Sequence, residues 1–287
     1  RAEPLRTYTR HGLLVRVRSA VFAGAVLFLG CITLAQANIA ISGSLTRTHL
    51  VDGNRTVEGT IRVINTTSQP QRVNVTIVDR AVGTGARFVE AGSSPHSAAE
   101  FLVPEAETLV LAPDERRAWT YQIDVPDGST VPPGSYWSTF LFEPVANDAE
   151  REQAEGNGGF QIRTKTRYAV GIIVHVGRPD ETESPIRFSD VDVGRESAEA
   201  DDLVSHVNLS VDGPYVRTAS VRMEIIDQAT GDEVYASPSN PVRLYPERPA
   251  GHRFSIGALS PGAYEALVIA EAGEDVYALR FDLDVGP

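Results

Sequence analysis

Residues 160–176 read FQIRTKTRYAVGIIVHV, and this stretch decides the fold class. Apolar residues alternate with polar or small ones over most of its length, from Phe160 and Ile162 through Tyr168 to Val176. A repeat of two places successive side chains on opposite faces, which is the pattern of a β-strand. Strands are usually about 5 to 6 residues long. The stretch therefore predicts one unusually long strand over 160–176.

The same alternation recurs on both sides of this stretch. Before it, residues 119–125 alternate and end at Pro126, while 135–142 carry apolar groups on both faces and predict a central strand. No sustained helical period follows Asn38, so the chain is predicted to be all-β. After the long stretch, alternation predicts five further strands, at 203–211, 216–226, 252–256, 264–270 and 276–285.

A short polar segment rich in Gly and Pro separates these two groups of strands. It begins at Gly177-Arg178-Pro179-Asp180 and continues through Glu183-Ser184-Pro185. Several short strands within about 100 residues are typical of an immunoglobulin-like sandwich. We therefore expect two tandem immunoglobulin-like β-sandwich domains, 38–179 and 180–287.

The first residues have the pattern of an export signal. Arg16 and Arg18 flank the apolar run 20–29, and Ala35-Gln36-Ala37 offers small residues at a cleavage site. We expect residues 1–37 to be a signal peptide, cleaved after Ala37, which leaves no stable membrane insertion. A retained membrane anchor and a lipoprotein acylated at Cys31 are the alternatives.

The charge of the chain narrows the classes of partner. Its formal net charge is −12, and without residues 1–37 it has 21 basic and 37 acidic side chains, a net charge of −16. This balance argues against nucleic acid as a partner. Cys31 is the only cysteine, so the mature chain would enter an oxidising compartment without disulfides.

No residue pattern predicts catalysis or a cofactor. The six histidines are scattered without the short spacing of metal ligands, so no metal site is expected. Asp190, Asp192 and Gly194 resemble the start of a calcium loop, but the later ligand positions hold Gly194 and Asp201. Val191 and Val193 between them favour a strand at a sheet edge.

The long strand at 160–176 allows two interpretations. Its apolar stripe can face the core while Arg163, Lys165 and Arg167 face water. Alternatively, its early half is an edge that accepts an extended partner strand by β-augmentation. Pattern alone favours the first, because sheet edges are normally protected.

Several motifs follow one another in a recognisable order: Thr46-Arg47, Ile61-Arg62-Val63-Ile64-Asn65, 109–113, 133–144 and 164–179. In this order they resemble the periplasmic pilus-assembly chaperones of the PapD type. The resemblance covers 39–179, and it extends to the second domain only in size and class. It implies two immunoglobulin-like domains set at an angle.

The resemblance also implies a binding site. In that family two basic residues hold the C-terminal carboxylate of a client, while the last strand of the first domain completes the client's sandwich. Carried across, Arg47 would be the first anchor and either Lys165 or Arg167 the second. The groove-filling positions along the strand would be Phe160, Ile162, Thr164 and Thr166.

The resulting hypothesis is a periplasmic, chaperone-like protein without enzymatic activity. It would bind a secreted subunit, either a pilin or a surface protein, by β-strand addition along 160–176. The alternative is a cell-surface or extracellular module with a structural or adhesive role. An exposed edge can also pair with itself, which would give a homodimer through this strand.

Overall fold

The computed structural model describes residues 38–52, 56–81, 87–126, 130–145, 166–179, 184–195 and 202–286. The predicted signal peptide, 1–37, lies outside the described residues. Ala37–Pro287 form one compact unit, in which the strands surround two separate hydrophobic cores. Among the described residues there is no helix with the length and apolar character needed to cross a membrane.

The first sandwich consists of two sheets of mainly antiparallel strands. One sheet has the order β1-β3-β8-β6, and the other has the order β2-β10-β9-β4-β5, with β7 paired to β4. A single 3-10 turn, Ala99–Phe101, precedes β6. The strands are β1 Ile39–Ser42, β2 Thr46–Val51, β3 Val57–Asn65, β4 Gln71–Arg80, β5 Phe88–Glu90, β6 Leu102–Pro104, β7 Thr108–Leu111, β8 Arg116–Ile123, β9 Gly134–Val145 and β10 Tyr168–Val176.

Aromatic rings from the two sheets meet in the core of this sandwich. Trp119 of β8 lies edge-on to Phe140 and Phe142 of β9, with ring centroids 4.9 and 5.3 Å apart. These rings and Tyr121 are almost fully buried. Alternation in the sequence therefore predicted correctly which face of β8 points inward.

The first strand of the fold changes sheets. β1 pairs with β3, and after Gly43 the chain crosses over so that β2 pairs in parallel with β10. Gly43 has φ of 91°, a conformation that glycine adopts without strain. As a result β2 covers one side of β10, while β9 covers the other.

The strand predicted over 160–176 is shorter in the structure. β10 begins at Tyr168, and the preceding Thr166 and Arg167 are not part of a strand. Residues 160–165 lie outside the described residues. The central position predicted for 135–142 is confirmed, since β9 lies between β10 and β4.

The second sandwich again has two sheets. Their orders are β11-β12-β16 and β14-β13-β17-β18, with β15 paired to β13. All five predicted strands are present, together with β11, where Val191 and Val193 favoured a strand, and with β14 and β15, which were not predicted. The strands are β11 Ile186–Arg195, β12 Leu203–Val211, β13 Arg217–Asp227, β14 Glu233–Ala236, β15 Asn240–Leu244, β16 Ala250–Gly257, β17 Gly262–Ala272 and β18 Asp275–Val285.

The segment that resembled a calcium loop is a strand. Asp190, Asp192 and Gly194 lie on β11, which is an edge strand, and the register shifts between Ser189 and Val191. Asp190 has φ of 49° at this bulge. The strand interpretation is confirmed, as is the all-β class with two sandwiches. The boundary between 179 and 180 stays a prediction.

Candidate functional site

β10 has a free edge at its beginning. β9 pairs with one side of β10 along its whole length, but β2 pairs with the other side only from Gly171 to Val176. The N–H of Gly171 donates to the carbonyl of Leu45 at 2.9 Å. Because backbone groups in a strand alternate in direction, the N–H and C=O of Ala169 point to the same side. No described residue pairs there with Tyr168–Val170, which we call the free edge.

A cavity of about 350 Å³ lies beside the free edge. Its lining includes Ala169, Gly171 and Thr139. Along β10 and β9 these three residues alternate with residues whose side chains lie in the core of the first sandwich. The cavity therefore lies on the outer face of the sheet. Tyr245 and Arg248 of the second sandwich also line it. We call it the interdomain cavity.

Two guanidinium groups belong to the lining of this cavity. Arg80 is the last residue of β4, and Arg248 comes from the segment between β15 and β16. The cavity lining contains no carboxylate, and no ion pair joins either arginine to an acidic side chain in the described part of the chain. Since the described residues supply neither arginine with an acidic partner, the two cations favour an anionic group in the cavity.

Aromatic contacts hold the second sandwich against the first beside the cavity. His96 stacks on Trp137 with a centroid distance of 4.9 Å, and Tyr245 lies edge-on to the same indole at 4.9 Å. His96 Nε2 is also 3.7 Å from Glu247 Oε2. Residues of both sandwiches therefore form this wall of the cavity.

A buried carboxylate fixes the loop that carries His96. Asp79 is fully buried and accepts hydrogen bonds from the hydroxyls of Ser97, at 3.0 Å, and Ser138, at 2.6 Å. The N–H of Ser94 donates to the other carboxylate oxygen at 3.3 Å. These bonds satisfy a charge that would be unfavourable in a core without them.

The two sandwiches also meet at the other end of β9 and β10. Ser135 Oγ lies 2.7 Å from His175 Nδ1 and accepts a hydrogen bond from the N–H of Val216 at 2.8 Å. The hydroxyl of Tyr215, which is buried, donates to the carbonyl of Val176 at 3.0 Å. Burial lowers the pKa of His175, so the neutral imidazole is favoured at this junction.

The predicted carboxylate anchors do not come together among the described residues. Arg47 shares the inner face of the sheet with its register partner Ile172, and its guanidinium donates to the carbonyl of Ser42 at 3.4 Å. Arg167 is exposed and lies 3.5 Å from Glu143 Oε2. Glu143 follows the core residue Phe142 and so belongs to the outer face. Lys165 lies outside the described residues.

Arg47 belongs to a polar group that sequence reasoning did not identify. His49 Nε2 lies 2.8 Å from the hydroxyl of Tyr121. Burial, and secondly the charge of Arg47, lower the pKa of His49. Burial raises the pKa of Tyr121 to about 12. The alternation of Arg47 and His49 along β2 could have indicated that both face inward.

The predicted groove positions are only partly described. Thr166 is exposed and precedes β10, while Phe160, Ile162 and Thr164 lie outside the described residues. Their role in strand addition stays a prediction, as do the anchoring roles of Arg47, Lys165 and Arg167.

The interdomain cavity was not predicted from the sequence. Trp137 could be recognised as part of a strand with two apolar faces, but nothing in the sequence joins it to Tyr245 or Arg248. Within the ranges that the structure describes, no group of three or more His, Cys, Asp or Glu side chains could hold a metal ion.

No protein-family model matches the chain, and no curated protein matches it in sequence. Among solved structures it is similar to the class 5 fimbriae chaperone CfaA, with 13% identity and a TM-score of 0.45 over 85% of this chain and 98% of that one. The E. coli chaperone DraB has 12% identity and a TM-score of 0.39, over 86% of this chain and 98% of that one.

A third similar chain comes from the CsuC–CsuE chaperone–tip adhesion subunit complex of the archaic chaperone-usher Csu pili of Acinetobacter baumannii. It has 9% identity and a TM-score of 0.44, over 85% of this chain and 98% of that one. The similar structures thus include pilus chaperones, the class that the motifs resemble, at identities of 9–13% and TM-scores below 0.5. At these TM-scores the similarities do not decide what this chain binds.

Proposed function

We propose that this chain is a chaperone-like binding protein that takes up an extended segment of a secreted subunit as an added strand beside β10. The free edge carries the proposal. Ala169, directly before the part that β2 covers, offers an N–H and a C=O on the side away from β9, where no described residue pairs with it. An extended segment placed there would continue the line of β2 and gain main-chain hydrogen bonds.

The surroundings of the free edge support this function. Leu45, the residue directly before β2, is 48% exposed although it is a large apolar residue. A segment added beside Ala169 would cover part of this apolar surface. The predicted signal peptide, 1–37, would export the protein to the periplasm, where it would meet secreted subunits before their assembly.

The test is a proline at the centre of the free edge. Ala169→Pro removes the N–H that points away from β9, so it breaks no hydrogen bond of the native sheet. The control Ala169→Ser keeps both the N–H and a small side chain. Both variants are purified alongside the parent protein, and binding is measured on an array of extended peptides.

Hydrogen exchange then reports where a peptide binds. We expect bound peptides to protect the Ala169 amide in the parent protein and in Ala169→Ser, and Ala169→Pro to lose binding at least about ten-fold. Unchanged binding by Ala169→Pro, or bound peptide without protection at Ala169, would refute strand addition. Protection of Ala169 that depends on protein concentration, without peptide, would instead identify a homodimer through this edge.

A further inference from the structure

β18 is the longest edge strand among the described residues. It pairs with β17 over all 11 of its residues, from Asp275 to Val285, and no described residue pairs with its other side. This edge belongs to the second sandwich, whereas the free edge of β10 belongs to the first. The unpaired side of β18 therefore offers a second row of backbone hydrogen-bonding groups to another strand.

β18 lacks the features that usually protect an edge. Protected edges are commonly short or bulged, or they carry proline or inward-pointing charges. The register of β18 with β17 has no shift, the strand contains no proline, and its inward-facing residues from Tyr277 to Val285 are apolar. By contrast β11, the edge strand of the facing sheet that contacts β18, has a bulge at Asp190. Of these two neighbouring edges, β11 is protected and β18 is not.

The inner face of β18 is apolar but only half-buried. Its side chains pack against the core of the second sandwich while part of each remains exposed: Tyr277, Leu279, Phe281, Leu283 and Val285. A strand added beside β18 would cover the exposed part of these side chains. Burial of apolar surface is favourable, so the addition would gain more than main-chain hydrogen bonds.

The pairing of β17 shows which backbone groups of β18 are free. The carbonyl of Ala263 accepts a hydrogen bond from the N–H of Gln228 at 3.1 Å, so odd-numbered residues of β17 point to β13 and even-numbered residues to β18. In the register of the two strands, even-numbered residues of β17 lie opposite odd-numbered residues of β18. The free N–H and C=O groups therefore belong to the even-numbered residues of β18: Val276, Ala278, Arg280, Asp282 and Asp284.

A second copy of β18 complements this edge in antiparallel orientation. When Phe281 lies opposite Phe281 of the second copy, Arg280 lies opposite Asp282 and Asp282 opposite Arg280. Leu279 and Leu283 oppose each other on the inner face in the same way. Every even-numbered residue then meets an even-numbered residue, so the free backbone groups of the two copies pair. The strand is therefore complementary to itself in backbone, charge and apolar surface.

Other registers are less favourable. A shift by one residue would place free backbone groups opposite groups that already bond to β17. A shift by two residues places either Arg280 opposite itself or Asp282 opposite itself, and like charges directly opposite each other are destabilising. The side chain of Arg280 already pairs with Glu265, but it is 70% exposed, and a guanidinium has five donors. It can therefore bind a second carboxylate.

We propose that this chain forms a symmetric homodimer through antiparallel pairing of β18, with Phe281 at the two-fold axis. Each copy contributes the same residues, as in other two-fold interfaces between identical chains. The arginine and aspartate pairs at positions 280 and 282 fix the register on the outer face. The dimer does not rest on the proposed function, because strand addition involves β10 in the other sandwich.

Hydrogen exchange at several protein concentrations locates the pairing. We expect sedimentation equilibrium to show a dimer, and the amides of Ala278, Arg280, Asp282 and Asp284 to become protected as the concentration rises. The amide of Phe281 bonds to β17, so it should be protected at every concentration and is the internal control. A protein that stays monomeric at about 100 µM, or a dimer that leaves the four amides unprotected, would overturn the proposal.

Reversal of single charges tests the register. Arg280→Asp places an acidic side chain opposite Asp282, and Asp282→Arg places a basic side chain opposite Arg280, so each variant alone should dimerise at least about ten-fold more weakly. A mixture of the two variants restores both opposite-charge pairs. We therefore expect a heterodimer about as tight as the parent dimer. Arg243→Asp, at an exposed position of β15, is the matched control and should dimerise like the parent.

The remaining outcomes separate this inference from the proposed function. If both variants dimerise as tightly as the parent, or if mixing them does not restore association, the β18 register is wrong. Concentration-dependent protection of Ala169 in place of β18 would also overturn it and assign the dimer to β10. If no peptide protects Ala169, the proposed function fails while the β18 dimer is unaffected.

Discussion

Arg47 shows that the face a residue occupies decides what its charge can contact. The resemblance to pilus chaperones implies that it is a carboxylate anchor, and in the fold it lies on the inner face of β2, beside His49 and the Tyr121 hydroxyl. Its guanidinium already donates to the carbonyl of Ser42. An anchoring role would require a client to reach the point where the chain changes sheets after Gly43, and that role stays a prediction.

Half-buried histidines predict how stability depends on pH. Burial is the main cause that lowers the pKa of His49, His175 and His252 below the ordinary value of 6.5. As pH falls, the unfolded chain therefore binds protons at these positions before the folded protein does. Their contribution to stability is complete above pH 6.5 and is lost as pH falls below it.

We expect the urea midpoint of unfolding to be lower at about pH 5.5 than at about pH 7.5. His49→Gln should reduce that difference, because glutamine can bond to Tyr121 without binding a proton. His206→Gln, at an exposed position of β12, is the control. An equal pH dependence in all three proteins would contradict the assignment to His49.

At the scale of secondary-structure elements, the pairing between strands decides where a strand predicted from the sequence begins and ends. The alternation over 168–176 corresponds to β10, but the same alternation at Thr166 and Arg167 does not continue the strand. Alternation of side chains does not predict how many residues form backbone hydrogen bonds, because that number depends on the length and position of the neighbouring strand. β14 and β15 were missed for the same reason, because short and polar strands form only where β13 offers them a partner.

The pairing of β3 with β8 depends on one glycine. Gly59 opposes Tyr121, and a side-chain carbon there would lie 2.2 Å from the tyrosine ring. We expect Gly59→Ala to destabilise the protein by about 1 to 3 kcal/mol in urea unfolding, because the core ring must shift. Gly194→Ala on β11 meets nothing within 4 Å and should be nearly neutral. Equal effects of the two changes would show that the ring moves freely.

At the scale of the whole molecule, two contacts join the sandwiches. One is the junction of Ser135, His175 and Tyr215, and the other is the stack of His96, Trp137 and Tyr245 beside the cavity. Residues of both sandwiches line the interdomain cavity, among them Trp137 and Tyr245 of the aromatic stack.

Tyr215→Phe tests the junction. The change removes the hydroxyl that donates to the carbonyl of Val176, a buried bond whose loss should cost about 1 kcal/mol. We expect the amides of Ser135 and Val216, which bond across the junction, to exchange about five-fold faster. Tyr235→Phe in the second sandwich is the control. Unchanged exchange in Tyr215→Phe would show that the junction does not depend on this bond.

The sequence by itself determined the class of the fold, the inward face of β8, the central position of β9, and the strands β12, β13, β16, β17 and β18. These follow from local alternation of apolar residues, which each segment carries independently of the rest. Only the tertiary structure decided that, within the described residues, β2 stops short of Ala169, and that Arg80 and Arg248 line one cavity. These features depend on contacts between segments that are distant in the sequence. Local sequence patterns do not predict such contacts.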